Sequence, residues 1–126
     1  MGLDMDFYKL PKGTKIESYE DLLKLDEFKY FRKNYTIHEI MCLSRDLVAL
    51  GKTIADIPLD CPPYPYTFGC DEYKISKKQY ETIKEILKAD DLGKLVADYD
   101  EYDEPEQLLE ILKDFDDYDF WYSWVN

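Results

Sequence analysis

Two sets of side chains in this sequence have the types and spacing to do chemistry: one histidine with three cysteines, and a dense run of carboxylates. His38 and Cys42 are four residues apart, so both project from one face of any helix that carries them. Together with Cys61 and Cys70 they would make up the four nitrogen and sulfur ligands that tetrahedral zinc takes. The spacing is irregular, and no Cys-x-x-Cys pair supplies two thiolates from one tight turn, so neither a metal nor another cofactor is expected. A Cys–His nucleophile is the second option. Cys70 with His38 as its base, oriented by Asp71, Glu72 or Glu39, would make a small metal- or thiol-dependent enzyme. The acids beside Cys70 raise a thiol's pKa and argue against it. Packed thiols with a helix-surface histidine are the commoner outcome.

The carboxylates are the sharper feature. Residues 98–119 hold eleven of them against one base, Lys113, and so carry ten of the chain's net twelve negative charges. A charge that concentrated attracts cations or a basic partner and repels nucleic acid and anionic membrane. Glu106, Glu110 and Asp114 recur every four residues opposite a leucine stripe, where like charges cost roughly 0.2–0.5 kcal/mol per pair. Asp114, Asp116 and Asp117 fall at or beyond the end of that segment, where a helix dipole prefers cations. Tyr99, Tyr102 and Tyr118 are interleaved as flat contact surfaces. The bland reading of this run is a solubilising surface; the functional one is an array imitating nucleic-acid phosphates. Calcium would need a spaced acidic loop with a turn glycine, and residues 98–103 have the oxygens without the glycine. No glycine-rich phosphate loop is present.

The remaining residues must build something to display these groups. At 126 residues the chain is near the size of one domain, and 12 Tyr, 6 Phe and 2 Trp imply a packed core. No apolar run is long enough to span a membrane, and the first residues lack a signal peptide's basic and apolar regions. Three thiols leave one unpaired in any internal scheme, which fits reduced cysteines in a cytosol.

Leu3, Met5 and Phe7 alternate with polar residues, as in a strand, and Pro11-Lys12-Gly13 ends it in a turn. Ser18 with Asp21 predicts a capped short helix to Leu25. Residues 26–50 have helical spacing, but Phe28, Phe31 and Tyr35 lie on one side while Ile37, Ile40, Met41, Leu43, Leu47 and Val48 lie on the other. Either one helix is buried on both sides or, as the spacing slightly favours, it breaks near Asn34, with Thr36 and Glu39 forming a second capping box; Gly51 stops the helix. A proline-rich loop comes next from residue 54, then a short strand at 70–75 and a helix capped by Ser76. Pro105 opens a last helix with Leu108, Leu109, Leu112 and Phe115 inward. Tyr118, Phe120, Tyr122 and Trp124 alternate through a closing strand.

Three stretches carry a resemblance: Gly2-Leu3-Asp4-Met5, then Tyr30-Phe31-Arg32-Lys33 with Ile37-His38 after it, then Cys70-Asp71-Glu72-Tyr73-Lys74-Ile75-Ser76. They resemble a family of small, uncharacterised phage and bacterial proteins with an N-terminal Gly-Leu-Asp-Met-Tyr motif. That family also has a Tyr-Trp-Arg-Lys then Ile-His run and an aromatic final strand. Position 6 is Asp where the family usually has Tyr, and the family's long insertions are absent. The resemblance implies a phage-like setting, places His38 and Cys70 at matching positions, and implies no mechanism.

The expected fold is α+β in a single domain over residues 1–126: a small, mostly antiparallel sheet from residues 2–9, 70–75 and 117–125, with helices packed on one face. The terminal strands should pair, because each needs a neighbour. The expected function is a non-enzymatic binding or inhibitory protein, in a phage a counter-defence or host-takeover factor. Its acidic face (Asp98, Tyr99, Asp100, Glu101, Tyr102, Asp103, Glu106, Glu110, Asp114 and Asp117) would dock on a basic, nucleic-acid-binding protein. No direct contact with nucleic acid or membrane is expected.

Overall fold

A computed structural model describes residues 2–57 and 69–126. The two ends of the chain meet at the centre of one sheet. Strand β1 (Asp4–Pro11) and strand β4 (Tyr118–Val125) run antiparallel from Asp4 opposite Val125 to Pro11 opposite Tyr118. Their matched alternation places Met5 and Phe7 beside Trp124 and Tyr122 on one face, with the Phe7 and Tyr122 rings 4.9 Å apart. Strand β2 (Lys29–Arg32) pairs with the free edge of β1 and β3 (Cys70–Lys74) with that of β4, giving the order β2-β1-β4-β3. The architecture is α+β, and all three pairings are antiparallel.

Strand β2 corrects the helical expectation for residues 26–34. Phe28, Phe31 and Tyr35 have helical spacing, but a short stretch rich in aromatics, with Phe28, Tyr30 and Phe31, also suits a pleated edge. The vacant edge of β1 decides the contest. The Phe28 N–H donates to the Phe7 carbonyl and the Lys33 N–H to the Leu3 carbonyl, both at 2.7 Å. Lys33 then turns left-handed (φ 57°) and lets the chain double back. The break near Asn34 is present, and Asn34, not Thr36, caps the helix beyond it: its side-chain oxygen accepts from the Ile37 N–H at 3.0 Å.

Of the four α-helices described, three cover the inner face. Helix α2 (Tyr35–Leu50) buries Ile37, Ile40, Met41, Leu43 and Leu47 and stops at left-handed Gly51. Helix α3 (Lys77–Leu87), capped by Ser76, brings Ile83 and Ile86, and α4 (Gln107–Ile111) brings Leu108 and Ile111. Phe115 stacks between Tyr80 and Phe120, with centroids 4.4 and 5.9 Å away. Leu109, expected inward, is exposed, and Ile111 takes its place. The five-residue α1 (Tyr19–Leu23), opened at Ser18 where the Asp21 carboxylate accepts its N–H, stands on the opposite face. There Leu22 closes a smaller cluster with Tyr8, Leu10 and Trp121. Among the described residues no helix is long and apolar enough to cross a membrane. Most of the proline-rich loop, with Cys61, lies outside the described residues.

Candidate functional site

The acidic run begins in the segment joining α3 to α4, which lies against the first turns of α2. Leu95 and Val96 are buried and start it inward. Thr36 then holds it from both sides, its hydroxyl donating to the Asp103 carboxylate at 2.8 Å and accepting from the Asp100 N–H at 2.9 Å. The Thr36 N–H also donates to Asp103, and the Asn34 side-chain amide donates to the Asp103 carbonyl. Asp103 is thus an anion placed on the N-terminus of α2, where free N–H groups and the helix dipole favour one. Deeper in, Glu39 accepts the Asp98 N–H at 3.2 Å. Thr36 and Glu39 therefore do cap backbone amides, but those of a segment about sixty positions away instead of their own helix.

These anchors turn a set of charges outward. Asp98, Asp100, Glu101, Glu104 and Glu106 are all exposed, and among the described residues none of them pairs with a lysine or arginine. Tyr99 is exposed with them, and Tyr102, at 85%, is the most exposed large aromatic among the described residues. Left-handed Glu104 (φ 49°) ends the short 3₁₀ turn Glu101–Asp103 and directs the chain into α4. Glu104 was not among the expected contact residues, although it belongs to the face as fully as Glu101.

The C-terminal half of the run is electrostatically different. Glu110 pairs with Lys113 at 2.9 Å, Asp114 with Lys9 at 2.8 Å, and Asp116 with Lys77 at 2.5 Å. Lys9 itself sits over the rings of Tyr118, Phe28 and Phe120, 4.4 to 5.9 Å from their centroids. The lysines hold the Asp114 and Asp116 carboxyls below the usual carboxylate range. Asp119 is buried, accepting the Gly13 N–H at 2.9 Å with Lys74 at 3.4 Å. Lysines from β1, α3 and β3 thus relieve the strain that the local sequence implies. Only Asp117 of this half, exposed and outside these pairs, resembles the residues of 98–106.

His38 is packed into the core, with Cys42 half-buried beside it. His38 is fully buried on α2, its Nδ1 2.6 Å from the Tyr122 hydroxyl and its ring 4.6 Å from that of Trp124. Cys42 Sγ lies 3.6 Å from Nε2, so the two do share a helix face. Burial pushes the imidazole down to about 4 and the Cys42 thiol up to about 12. A neutral ring beside a protonated thiol is the reverse of an activated nucleophile pair. Cys70 is exposed at the start of β3, opposite Val125. Among the described residues no three His, Cys, Asp or Glu side chains are placed to hold a metal ion.

Glu39, next to His38, is 2% exposed, and burial pushes its carboxyl up to about 7, helped by the carboxylate of Asp98. No family model, curated protein or solved structure matches the chain.

Proposed function

We propose that this is a non-enzymatic binding or inhibitory protein that docks on a basic protein surface through residues 98–106. The observation that carries the reading is the unequal treatment of the acids. Those after Glu106 are mostly neutralised by lysines of the same chain, while Asp98, Asp100, Glu101, Glu104 and Glu106 stay exposed around Tyr99 and Tyr102 and, among the described residues, pair with no lysine or arginine. A solubilising surface needs no such segregation and no exposed tyrosines. Exposed aromatics among unpaired charges suit a contact that is steered by electrostatics and held by apolar area. The partner's natural ligand would then be a polyanion, and the face would occupy a nucleic-acid site by mimicry. In the phage-like setting of the resemblance, that makes a counter-defence or host-takeover factor acting on a nucleic-acid-binding protein inside the bacterial cell.

The test uses Glu101, Glu104 and Glu106 changed together to Lys. Asp114 and Glu110 are avoided because reversing them would set lysine against Lys9 and Lys113. Immobilised wild type should retain heparin-binding proteins from a bacterial lysate. Duplex DNA should compete them off, and retention should fall steeply between about 50 and 200 mM salt. The triple variant should retain none. Equal retention by the variant, or retention indifferent to salt and DNA, would reduce the face to solvation.

A further inference from the structure

One end of the sheet gathers positive charge in a chain whose net charge is −12. Strand β1 ends at Pro11 opposite Tyr118, and Lys74 closes β3 opposite Trp121. The turn after β1, the start of α3 and the segment between α4 and β4 therefore come together there. They surround an open cavity of about 380 Å³, lined by three lysines, Lys12, Lys74 and Lys77, against one carboxylate, Asp119. That volume is in the range of small-ligand sites. Ammonium groups repel one another, so three around one space favour an anion between them.

The chain supplies that anion only in part. Asp119 is buried and belongs to the fold, accepting the Gly13 N–H at 2.9 Å with Lys74 at 3.4 Å. Asp116 reaches the other two lysines: its carboxylate meets Lys77 at 2.5 Å, and its carbonyl accepts from Lys12 at 2.6 Å. Its side chain is 77% exposed, and an ion pair so open is weak. A phosphate has the charge and the oxygens to engage Lys12 and Lys77 together, in place of one carboxylate and one carbonyl. The Ser76 hydroxyl, which accepts the Gln79 N–H at 3.1 Å, keeps its own proton for an acceptor in the cavity. The rest of the lining is apolar. Ile75 is buried, Tyr118 is exposed, and Phe115 is held in a preformed stack between Tyr80 and Phe120. A bare phosphate ion would leave that wall uncovered.

We propose that this cavity binds a small organic phosphate, a monoester whose anionic end lies among Lys12, Lys74 and Lys77 and whose apolar body rests on Phe115 and Tyr118. Binding displaces the Asp116 carboxylate from Lys77. The site does not depend on the partner proposed for the acidic face.

Phenyl phosphate titrated into the full chain at low salt and about pH 7.5, where a monoester is a dianion, tests it by amide NMR. Saturable shifts should centre on Ser76, Lys77 and Tyr118, with a Kd of about 1 mM or below. Inorganic phosphate should bind about tenfold more weakly, because it covers none of the apolar wall. Lys77→Ala should weaken phenyl phosphate about tenfold, whereas Lys78→Ala, next on the helix and outside the lining, should cost less than about threefold. Asp116→Asn should tighten binding about threefold, since the chain's own competitor for Lys77 has gone. Asp117→Asn removes a neighbouring charge outside these pairs and should tighten it less. All four side chains are exposed, so the fold survives each change. No saturable shift at about 10 mM phenyl phosphate overturns the site, as do equal losses in the two lysine variants. Tightening by Asp116→Asn no greater than by Asp117→Asn overturns the displacement. Inorganic phosphate binding as tightly as phenyl phosphate overturns the organic ligand.

Discussion

Replacing Glu39 by Gln should stabilise this protein at alkaline pH and leave it unchanged in acid. Glu39 and His38 are adjacent and both buried, and burial favours the neutral form of each, so they are linked to folding with opposite sign. Unfolded, the glutamate titrates near 4.5; folded, burial pushes it up to about 7. Between those values the unfolded chain has lost a proton that the folded chain keeps, so stability falls as pH rises. Unfolded, the histidine titrates near 6.5; folded, burial pushes it down to about 4. There the unfolded chain holds the extra proton, so stability falls as pH drops. The windows overlap almost completely, and the slopes should largely cancel in the wild type. Gln removes only the glutamate's contribution. A displacement of about 2.5 pH units at about 1.4 kcal/mol each sets a ceiling of about 3.5 kcal/mol, and relaxation around the site brings the expectation nearer 2. For a chain this long that is a rise in Tm of about 8 °C above pH 8, shrinking to nothing near pH 4. Urea unfolding of both proteins at half-unit pH steps reads it directly, with the Gln variant climbing steadily from pH 4 to 6.5. A variant less stable at pH 8, or one whose gain is the same at both ends, would mean that folding does not raise the pH at which Glu39 titrates.

Three further outcomes are expected. Tyr122→Phe keeps the ring stacking but removes the buried hydroxyl 2.6 Å from His38 Nδ1, and should cost about 1–2 kcal/mol by denaturant unfolding; no loss would show that this hydrogen bond contributes nothing net. Leu22→Ala empties the centre of the cluster on the outer face and should cost about 2–4 kcal/mol, against nearly zero for exposed Leu23→Ala, read as shifts in the urea midpoint. With Cys61 replaced by Ser, a thiol reagent at pH 8 should label Cys70 fast and Cys42 only on unfolding, since burial holds the Cys42 thiol up at about 12. Mass spectrometry of the labelled peptides separates the two, and prompt labelling of Cys42 would contradict its burial.

Much of the fold was legible because it is written in short-range patterns. The two-residue alternations of 3–7 and 118–124 name the central strands and their inward faces, and Ser18, Ser76 and Gly51 mark helix ends with the groups that satisfy loose backbone amides and carbonyls. Residues 26–34 failed because the aromatic spacing there reads as a helix while the aromatic composition also suits a strand, and the open edge of β1 chooses between them. Leu109 failed because a five-residue helix turns over before a leucine stripe can declare its side.

The acidic site divides in the same way. Its density, its tyrosines and its position are properties of residues 98–119 and need no fold to be seen. Which acids remain free is not such a property. Lys9 reaches Asp114 across 105 positions and Lys77 reaches Asp116 across 39, while Thr36 and Glu39 leave their own helix to hold a distant segment. Composition and periodicity are summed along the chain, whereas pairing and burial act across space. The sequence by itself therefore determined how much negative charge there is and roughly where. Only the folded arrangement settles which of it is neutralised, which faces solvent, and that Glu39 is buried behind the rest.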